Sequence, residues 1–159
     1  MADLKLLQTG ASELGIELNR GQLSAFSLYM NELLKWNQRA NLTAITTPDG
    51  IQTRHFLDSL SCLLGFPGVD PTANPEAPLA GAVELLRNGE GLICLDVGTG
   101  PGFPGIPLKI LLPEIRLTLL ESIGKKTAFL ASLVEQLGLE GVAIATIRAE
   151  ALARDRDHR

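Results

Sequence analysis

The chain has 159 residues, of which 45% are hydrophobic and 20% are charged, and its formal net charge at pH 7 is −4. These values are typical of a globular protein with one sizeable core, and they exclude disorder over most of the chain. The negative net charge argues against a protein that coats nucleic acid non-specifically, but it leaves room for a local basic patch.

The sequence also argues against a membrane protein and against a metal-binding protein. It has no run of about 18 apolar residues, and its first residues, MADLKLLQTG, lack the plan of a secretory signal, so we expect a cytoplasmic protein without a membrane segment. The two cysteines, Cys62 and Cys94, lie in apolar stretches without a second Cys or His at metal-ligand spacing. We predict buried free thiols and no metal site.

The first 64 residues are predicted to form a helical part. Asn19 is a suitable N-cap for a helix with a strong apolar stripe, and Thr47 followed by Pro48 predicts the start of another helix. Apolar residues at helical spacing place the predicted helices at 3–14, from 20 to about 36, and from 49 to about 64.

A stretch rich in proline and glycine, GFPGVDPTANPEAP, then predicts a linker unit over 65–91 that includes a short helix at 79–86. From residue 92 to residue 159, strand and helix patterns alternate. The predicted strands are GLICLDVG, whose apolar run indicates a buried strand, then IRLTLLES and VAIATIRAE, with helices at 106–112 and 125–137. This alternation is typical of a doubly wound parallel α/β fold.

The loop DVGTGPGFPG follows the first predicted strand, where ligands bind in such folds. The loop does not match the dinucleotide-binding fingerprint G-x-G-x-x-G, because Phe103 occupies the position of the third glycine. It does not match a phosphate-binding loop either, because the last glycine is not followed by Lys and then Ser or Thr. The spacing G-x-G-x-G of Gly98, Gly100 and Gly102 is typical of methyltransferases that use S-adenosylmethionine. Because this cofactor has no phosphate, the glycines need only let backbone approach it.

Three further positions are candidate cofactor contacts. Glu121 ends the second predicted strand, where a carboxylate can accept hydrogen bonds from ribose hydroxyls, although dinucleotide-binding proteins share this feature. The triplet RAE is predicted to close the third strand beside the adenine, where Ala149 gives room and Glu150 meets the exocyclic amine. Phe103 is predicted to cover the cofactor.

The glycine loop, together with LLKWNQRANLTAI, RHFLDSL, LLESIGKKTAFL and RAE, closely resembles the ribosomal small subunit methyltransferase G family, also called glucose-inhibited division protein B. The resemblance spans nearly the whole chain. It implies a Rossmann-like methyltransferase fold after an N-terminal helical part, and methyl transfer from S-adenosylmethionine to N7 of a guanine in 16S ribosomal RNA of the small subunit. It also implies cofactor contacts from Gly98, Phe103, Ala149 and Glu150.

The family continues well past residue 159, so the resemblance implies an apparently truncated sheet. We expect the strand at 92–97 to lie at the edge of the sheet with unpaired backbone groups. The isolated chain is then expected to dimerise or aggregate through this edge, or to be a piece of a longer protein. We also expect little or no methyl transfer from these residues alone.

Guanine N7 carries a free lone pair, so the reaction needs alignment rather than a general base, and we expect no catalytic dyad. Since the major-groove edge of paired RNA is inaccessible, the target must be an unpaired or splayed base. The candidate RNA contacts are polar side chains of the helical part and two lysines after Glu121: Asn37, Asn41, Arg54, His55, Asp58, Lys125 and Lys126.

Two other functions are compatible with the sequence. One is a nicotinamide-dependent oxidoreductase, which Phe103 disfavours. The other is a non-catalytic module that retains the cofactor loop as structure and binds RNA or a protein partner through its helical part.

Overall fold

A computed structural model describes residues 3–88 and 91–154. The helices are α1 Lys5–Glu13, α2 Arg20–Ala40, α3 Pro48–Ile51, α4 Asp58–Ser61, α5 Ala82–Asn88, α6 Gly105–Leu111, α7 Gly124–Leu137 and α8 Ala149–Arg154. The strands are β1 Ile93–Val97, β2 Arg116–Leu120 and β3 Val142–Ala145. A π-helical turn, Gln52–Leu57, joins α3 to α4, and a 3-10 turn, Cys62–Gly65, follows α4.

The helices of the N-terminal part begin at the predicted caps. The Asn19 side chain accepts a hydrogen bond from the Gln22 N–H, and the Gln22 side chain accepts one from the Asn19 N–H, which forms a capping box. The Thr47 hydroxyl accepts from the Gly50 N–H at 3.2 Å. Both starts are therefore confirmed, although α2 runs a turn further than expected and ends at Ala40, followed by the C-cap residue Asn41, whose φ is 46°.

The predicted short helix of the linker unit is wrong in position. It begins at Ala82, because Gly81 has a φ of 77° and interrupts any earlier helical turn. The Leu79 N–H instead donates to the carbonyl of Leu14 at 2.8 Å. This bond ties the linker unit to the end of α1.

The predicted parallel sheet is confirmed, with the order β1-β2-β3. As expected, β1 lies at the edge, and Leu95 is in register with Thr118 of β2. The prediction of a buried strand is wrong: Ile93, Leu95 and Val97 are 76%, 53% and 55% exposed. The helices α6 and α7 pack on the opposite face of the sheet, so these three side chains of β1 are left largely exposed.

The third strand is shorter than predicted. Its last residue, Ala145, is in register with Leu120, the last residue of β2, so the ladder has no partner for a longer strand. The RAE triplet therefore does not close β3. Arg148 lies in the connection after the strand, and Ala149 and Glu150 form the first turn of α8.

Within the described residues, a hydrophobic cluster joins the helical part to the sheet. Its largest fully buried side chains include Phe26, Tyr29 and Phe56 from the first part and Phe129 from α7. The rings of Phe26 and Phe56 are 4.9 Å apart, and α2 packs against both α6 and α7. The helices thus hold one face of the sheet in place, including the loop after β1.

The cysteines are free, as predicted, but they are not buried: Cys62 is exposed and Cys94 is half-buried. Both line the groove beside the uncovered edge strand, which explains their exposure. In the described residues, no helix is long and apolar enough to cross a membrane.

Candidate functional site

The loop after β1 adopts a conformation that favours glycine. The φ angles of Gly98, Gly100 and Gly102 are 72°, 58° and 105°, in a region that L side chains rarely adopt. The N–H groups of Gly98 and Thr99 both donate to the carbonyl of Leu120, at 2.8 and 3.1 Å. The loop is thus anchored across the carboxyl end of β2.

The glycines of this loop face two different environments. A Cβ added at Gly98 or Gly100 would have no described atom within 4 Å. A Cβ added at Gly102 would lie 2.7 Å from both the Tyr29 hydroxyl and the Ile106 side chain. The first two glycines therefore open towards free space, and the third lets the N-terminal helices approach.

Gly105 provides the close contact between helix and strand that the third glycine of a dinucleotide fingerprint would provide. A Cβ there would lie 2.7 Å from Asp96 Oδ2 and from the Leu119 side chain. Asp96 Oδ2 accepts hydrogen bonds from the Gly105 N–H at 2.9 Å and from the Thr99 hydroxyl at 2.6 Å. Burial raises the pKa of Asp96, and the two hydrogen bonds oppose that shift. Asp96 therefore holds both ends of the loop.

The Glu121 carboxylate is built into the site and does not face solvent, since the residue is only 6% exposed. Its Oε2 accepts from the Gly100 N–H at 3.0 Å, and its Oε1 accepts from the Ile123 N–H at 2.9 Å. Lys126 Nζ lies 3.8 Å from Oε2. Each carboxylate oxygen keeps further acceptor capacity, so Glu121 can still bind a hydroxyl of a ligand.

A cavity of about 310 Å³ lies at the carboxyl ends of the strands. It brings together four of the predicted cofactor contacts, namely Gly98, Glu121, Ala149 and Glu150, and Arg148 also lines it. The position of this cavity agrees with the rule that ligands of open α/β sheets bind beyond the carboxyl ends of strands.

Phe103 lies on the side of the loop that faces the helical part. Its ring stacks on His55, with centroids 4.3 Å apart and planes 7° apart, and on Tyr29, with centroids 5.2 Å apart. The Tyr29 hydroxyl donates to the carbonyl of Pro101 at 2.6 Å. Sequence reasoning missed Tyr29, because its helical spacing from Phe26 is that of an ordinary core residue. A cofactor contact of Phe103 stays a prediction.

The predicted RNA contacts of the helical part have different surroundings. His55 is half-buried, and its Nε2 lies 2.8 Å from the Thr43 hydroxyl. Burial lowers the pKa of His55, and the charge of Arg54 lowers it further. Arg54 itself is exposed. Asn37 has a structural role, because its amide group bonds both the N–H and the carbonyl of Thr43.

The two lysines at the start of α7 also diverge. Lys126 is half-buried beside Glu121, whereas Lys125 is exposed and borders a different pocket.

Within residues 3–88 and 91–154, no group of three or more His, Cys, Asp or Glu side chains is arranged to hold a metal ion.

Comparison with known proteins places the chain in a family. The family model described as GidB, rRNA small subunit methyltransferase G, matches residues 22–71 and 79–158. Proteins named Ribosomal RNA small subunit methyltransferase G are similar to the chain. The one from Roseiflexus sp. (strain RS-1) is 42% identical over 98% of this chain and 58% of its own length.

Two further relatives with this name give the same result. The protein of Roseiflexus castenholzii is 44% identical over 94% of this chain and 55% of its own length. The protein of Dehalococcoides mccartyi (strain CBDB1) is 45% identical over 92% of this chain and 53% of its own length. The chain thus spans a little over half the length of these curated relatives, and it belongs to the rRNA small subunit methyltransferase G family.

Proposed function

We propose that the chain binds S-adenosylmethionine in the cavity at the ends of β1, β2 and β3, and acts in methyl transfer to N7 of a guanine in 16S ribosomal RNA. Family membership supports the reaction class. The observation that carries the proposal is the pair Gly98 and Gly100: both have positive φ, both open towards free space, and Gly100 donates to the carboxylate that lines the cavity.

In this proposal, four residues at the cavity each contact a particular part of the cofactor. Glu121 accepts hydrogen bonds from the ribose hydroxyls, and its carboxylate is already oriented by the N–H groups of Gly100 and Ile123. The backbone at Gly98 admits the methionyl part. Ala149 leaves room for the adenine, and Glu150 accepts from its amine.

When bound, the cofactor supplies an electrophilic methyl group. Guanine N7 is a nucleophile without proton removal, so the chain has only to orient the base and exclude water. Lys126 and Lys125 supply positive charge for RNA phosphates next to the cavity, and Arg54 and His55 supply polar groups on the helical side. The substrate base is unpaired, because N7 of a paired base in A-form RNA is out of reach.

The cofactor is tested by calorimetric titration of the chain with S-adenosylmethionine and, separately, with NAD. We expect saturable binding of the first and none of the second, and the opposite result would favour the nicotinamide oxidoreductase. Glu121→Gln replaces one acceptor oxygen by an amide and is expected to weaken cofactor binding about tenfold. Glu135→Gln is the matched control, because Glu135 is exposed on α7.

The reaction is tested with radiolabelled cofactor and small ribosomal subunits. Label at N7 of a guanine would support the enzyme. Binding of both cofactor and RNA without any transfer of label would favour a non-catalytic module.

A further inference from the structure

A second pocket lies between the end of α2 and the start of α7, outside the cofactor cavity. Its volume is about 280 Å³, and we call it the Trp36 pocket. It is lined by Lys35, Trp36, Arg39, Ala40, Lys125 and Ala128. Three of these side chains are cations and none is acidic, although the chain as a whole has a net charge of −4.

The floor of the Trp36 pocket is apolar and held by the core. The Trp36 ring packs on Phe129 with centroids 5.7 Å apart and planes 64° apart, so that it contacts the core edge-on. It is only half-buried, and with Ala40 and Ala128 it lines the pocket. The ring is therefore a supported aromatic surface that a flat apolar group can reach.

The cations around this floor differ in how far they are neutralised. Lys35 pairs with the buried Glu32 at 3.1 Å. Burial acts to raise the pKa of Glu32, but hydrogen bonds from Lys35, Gln136 and Trp36, together with the charge of Lys35, outweigh burial and lower the pKa. Glu32 therefore stays ionised. Arg39 and Lys125 are exposed, and in the described part of the chain neither forms an ion pair. Two positive charges are thus available to a ligand.

The Trp36 pocket and the cofactor cavity are both close to the first turn of α7. Lys125 borders the pocket, and Lys126 lies 3.8 Å from the Glu121 carboxylate, which lines the cavity. A strand of RNA with one base at the cavity can therefore extend past the first turn of α7 into this pocket.

We propose that the Trp36 pocket binds a nucleotide that flanks the methylated base, with its base stacked on Trp36 and its phosphate held by Arg39 and Lys125. An aromatic surface beside unpaired cations is the arrangement that single-stranded RNA requires. An acidic peptide would satisfy the cations but would leave the flat apolar floor without a partner. The inference rests on the proposed function in that RNA is the substrate.

Tryptophan fluorescence gives a direct readout, because Trp36 is the only tryptophan of the chain. The probe is single-stranded oligoadenylate RNA of about ten nucleotides, which matches the site size of single-strand-binding proteins. We expect saturable quenching of Trp36 emission by this RNA. Inorganic tripolyphosphate carries charge without bases and is expected to leave the emission unchanged.

The charge-reversal variants Arg39→Glu and Lys125→Glu are expected to weaken RNA binding about tenfold at low salt. Both side chains are exposed, so the variants should fold. Arg20→Glu is the matched control: it makes the same charge change at the other end of α2, about 28 Å away along the helix. We expect its affinity to stay within about twofold of the original.

The proposal is overturned if RNA leaves the emission unchanged, or if Arg20→Glu weakens binding as much as Arg39→Glu. Competition by polyglutamate equal to that by RNA would also overturn it and would indicate an acidic protein partner. Calorimetry with S-adenosylmethionine on the same samples separates the two proposals. Loss of cofactor binding with intact quenching would contradict the proposed function alone, and the reverse result would contradict the Trp36 pocket alone.

Discussion

The two halves of the glycine loop contain two glycines each, and the two pairs of glycines have opposite environments. A Cβ added at Gly98 or Gly100 would have no described atom within 4 Å, and Gly98 lines the cavity, whereas Gly102 and Gly105 lie against side chains of the protein itself. A G-x-G-x-G motif is usually attributed to its ligand, but here part of it is required by the fold. In the proposed function, glycine at the first two positions lets the cofactor approach the backbone, and glycine at the other two permits packing.

The sheet shows the same contrast between its two faces. Leu117 and Leu119 are buried under the helices, while Ile93, Leu95 and Val97 are exposed on the other face at the edge strand. The edge position of β1 is confirmed, and self-association through it stays a prediction. The packed face is the one that carries Asp96, and therefore the one that fixes the loop.

The largest effect should come from placing a side chain in the packed half of the loop. Gly102→Ala combines a left-handed φ with contacts of 2.7 Å, so we expect it to lower the free energy of unfolding by about 2–4 kcal/mol. Gly98→Ala introduces the same left-handed backbone strain without the close contacts, so we expect it to lower the free energy of unfolding by about 1–2 kcal/mol. Chemical denaturation measures both, and equal losses would erase the distinction between the two halves.

A smaller effect is expected from the hydrogen bond that joins α2 to the loop. Tyr29→Phe removes the donor to the buried carbonyl of Pro101, and we expect a loss of about 1–3 kcal/mol in the free energy of unfolding. The ring stacking on Phe103 is retained in this variant, so the loss reports the hydroxyl alone. An unchanged denaturation midpoint would show that the packed half does not depend on this bond.

The sequence predicts a structural feature correctly where that feature depends on residues that are close together in the chain. The N-cap at Asn19 and the glycines at 98 and 100 act through neighbours in the chain, and the structure shows the cap and a positive φ at both glycines. The role of Tyr29 depends on a carbonyl 72 residues away, so no local pattern indicates it. The end of β3 depends on where β2 ends, which is why RAE was misplaced in the strand.

The smallest effect should be a pH dependence of stability from the half-buried His55, whose ring stacks on Phe103. Burial lowers the pKa of His55 below its ordinary value of 6.5, so the unfolded chain binds the proton more tightly than the folded chain. The stabilisation that the uncharged His55 gives the folded chain is complete above pH 6.5. It is lost as the pH falls through the pKa that His55 has in the folded chain. His55→Gln should flatten this part of the profile, measured by denaturation between about pH 5 and 8. An equal change of stability with pH in the original chain and in the variant would contradict this prediction.

The proposed cofactor site depends most on the open half of the loop, where the backbone of Gly98 and Gly100 leaves space for the cofactor. Gly100 and Gly138 have nearly equal φ angles, 58° and 61°, and at both a Cβ would have no described atom within 4 Å. Valine therefore introduces the same backbone strain at each, but Gly138 only ends α7. The decisive measurement is calorimetry with S-adenosylmethionine on folded Gly100→Val and Gly138→Val. We expect no measurable binding for Gly100→Val and affinity within about twofold of the original for Gly138→Val. Normal affinity in folded Gly100→Val would contradict the account.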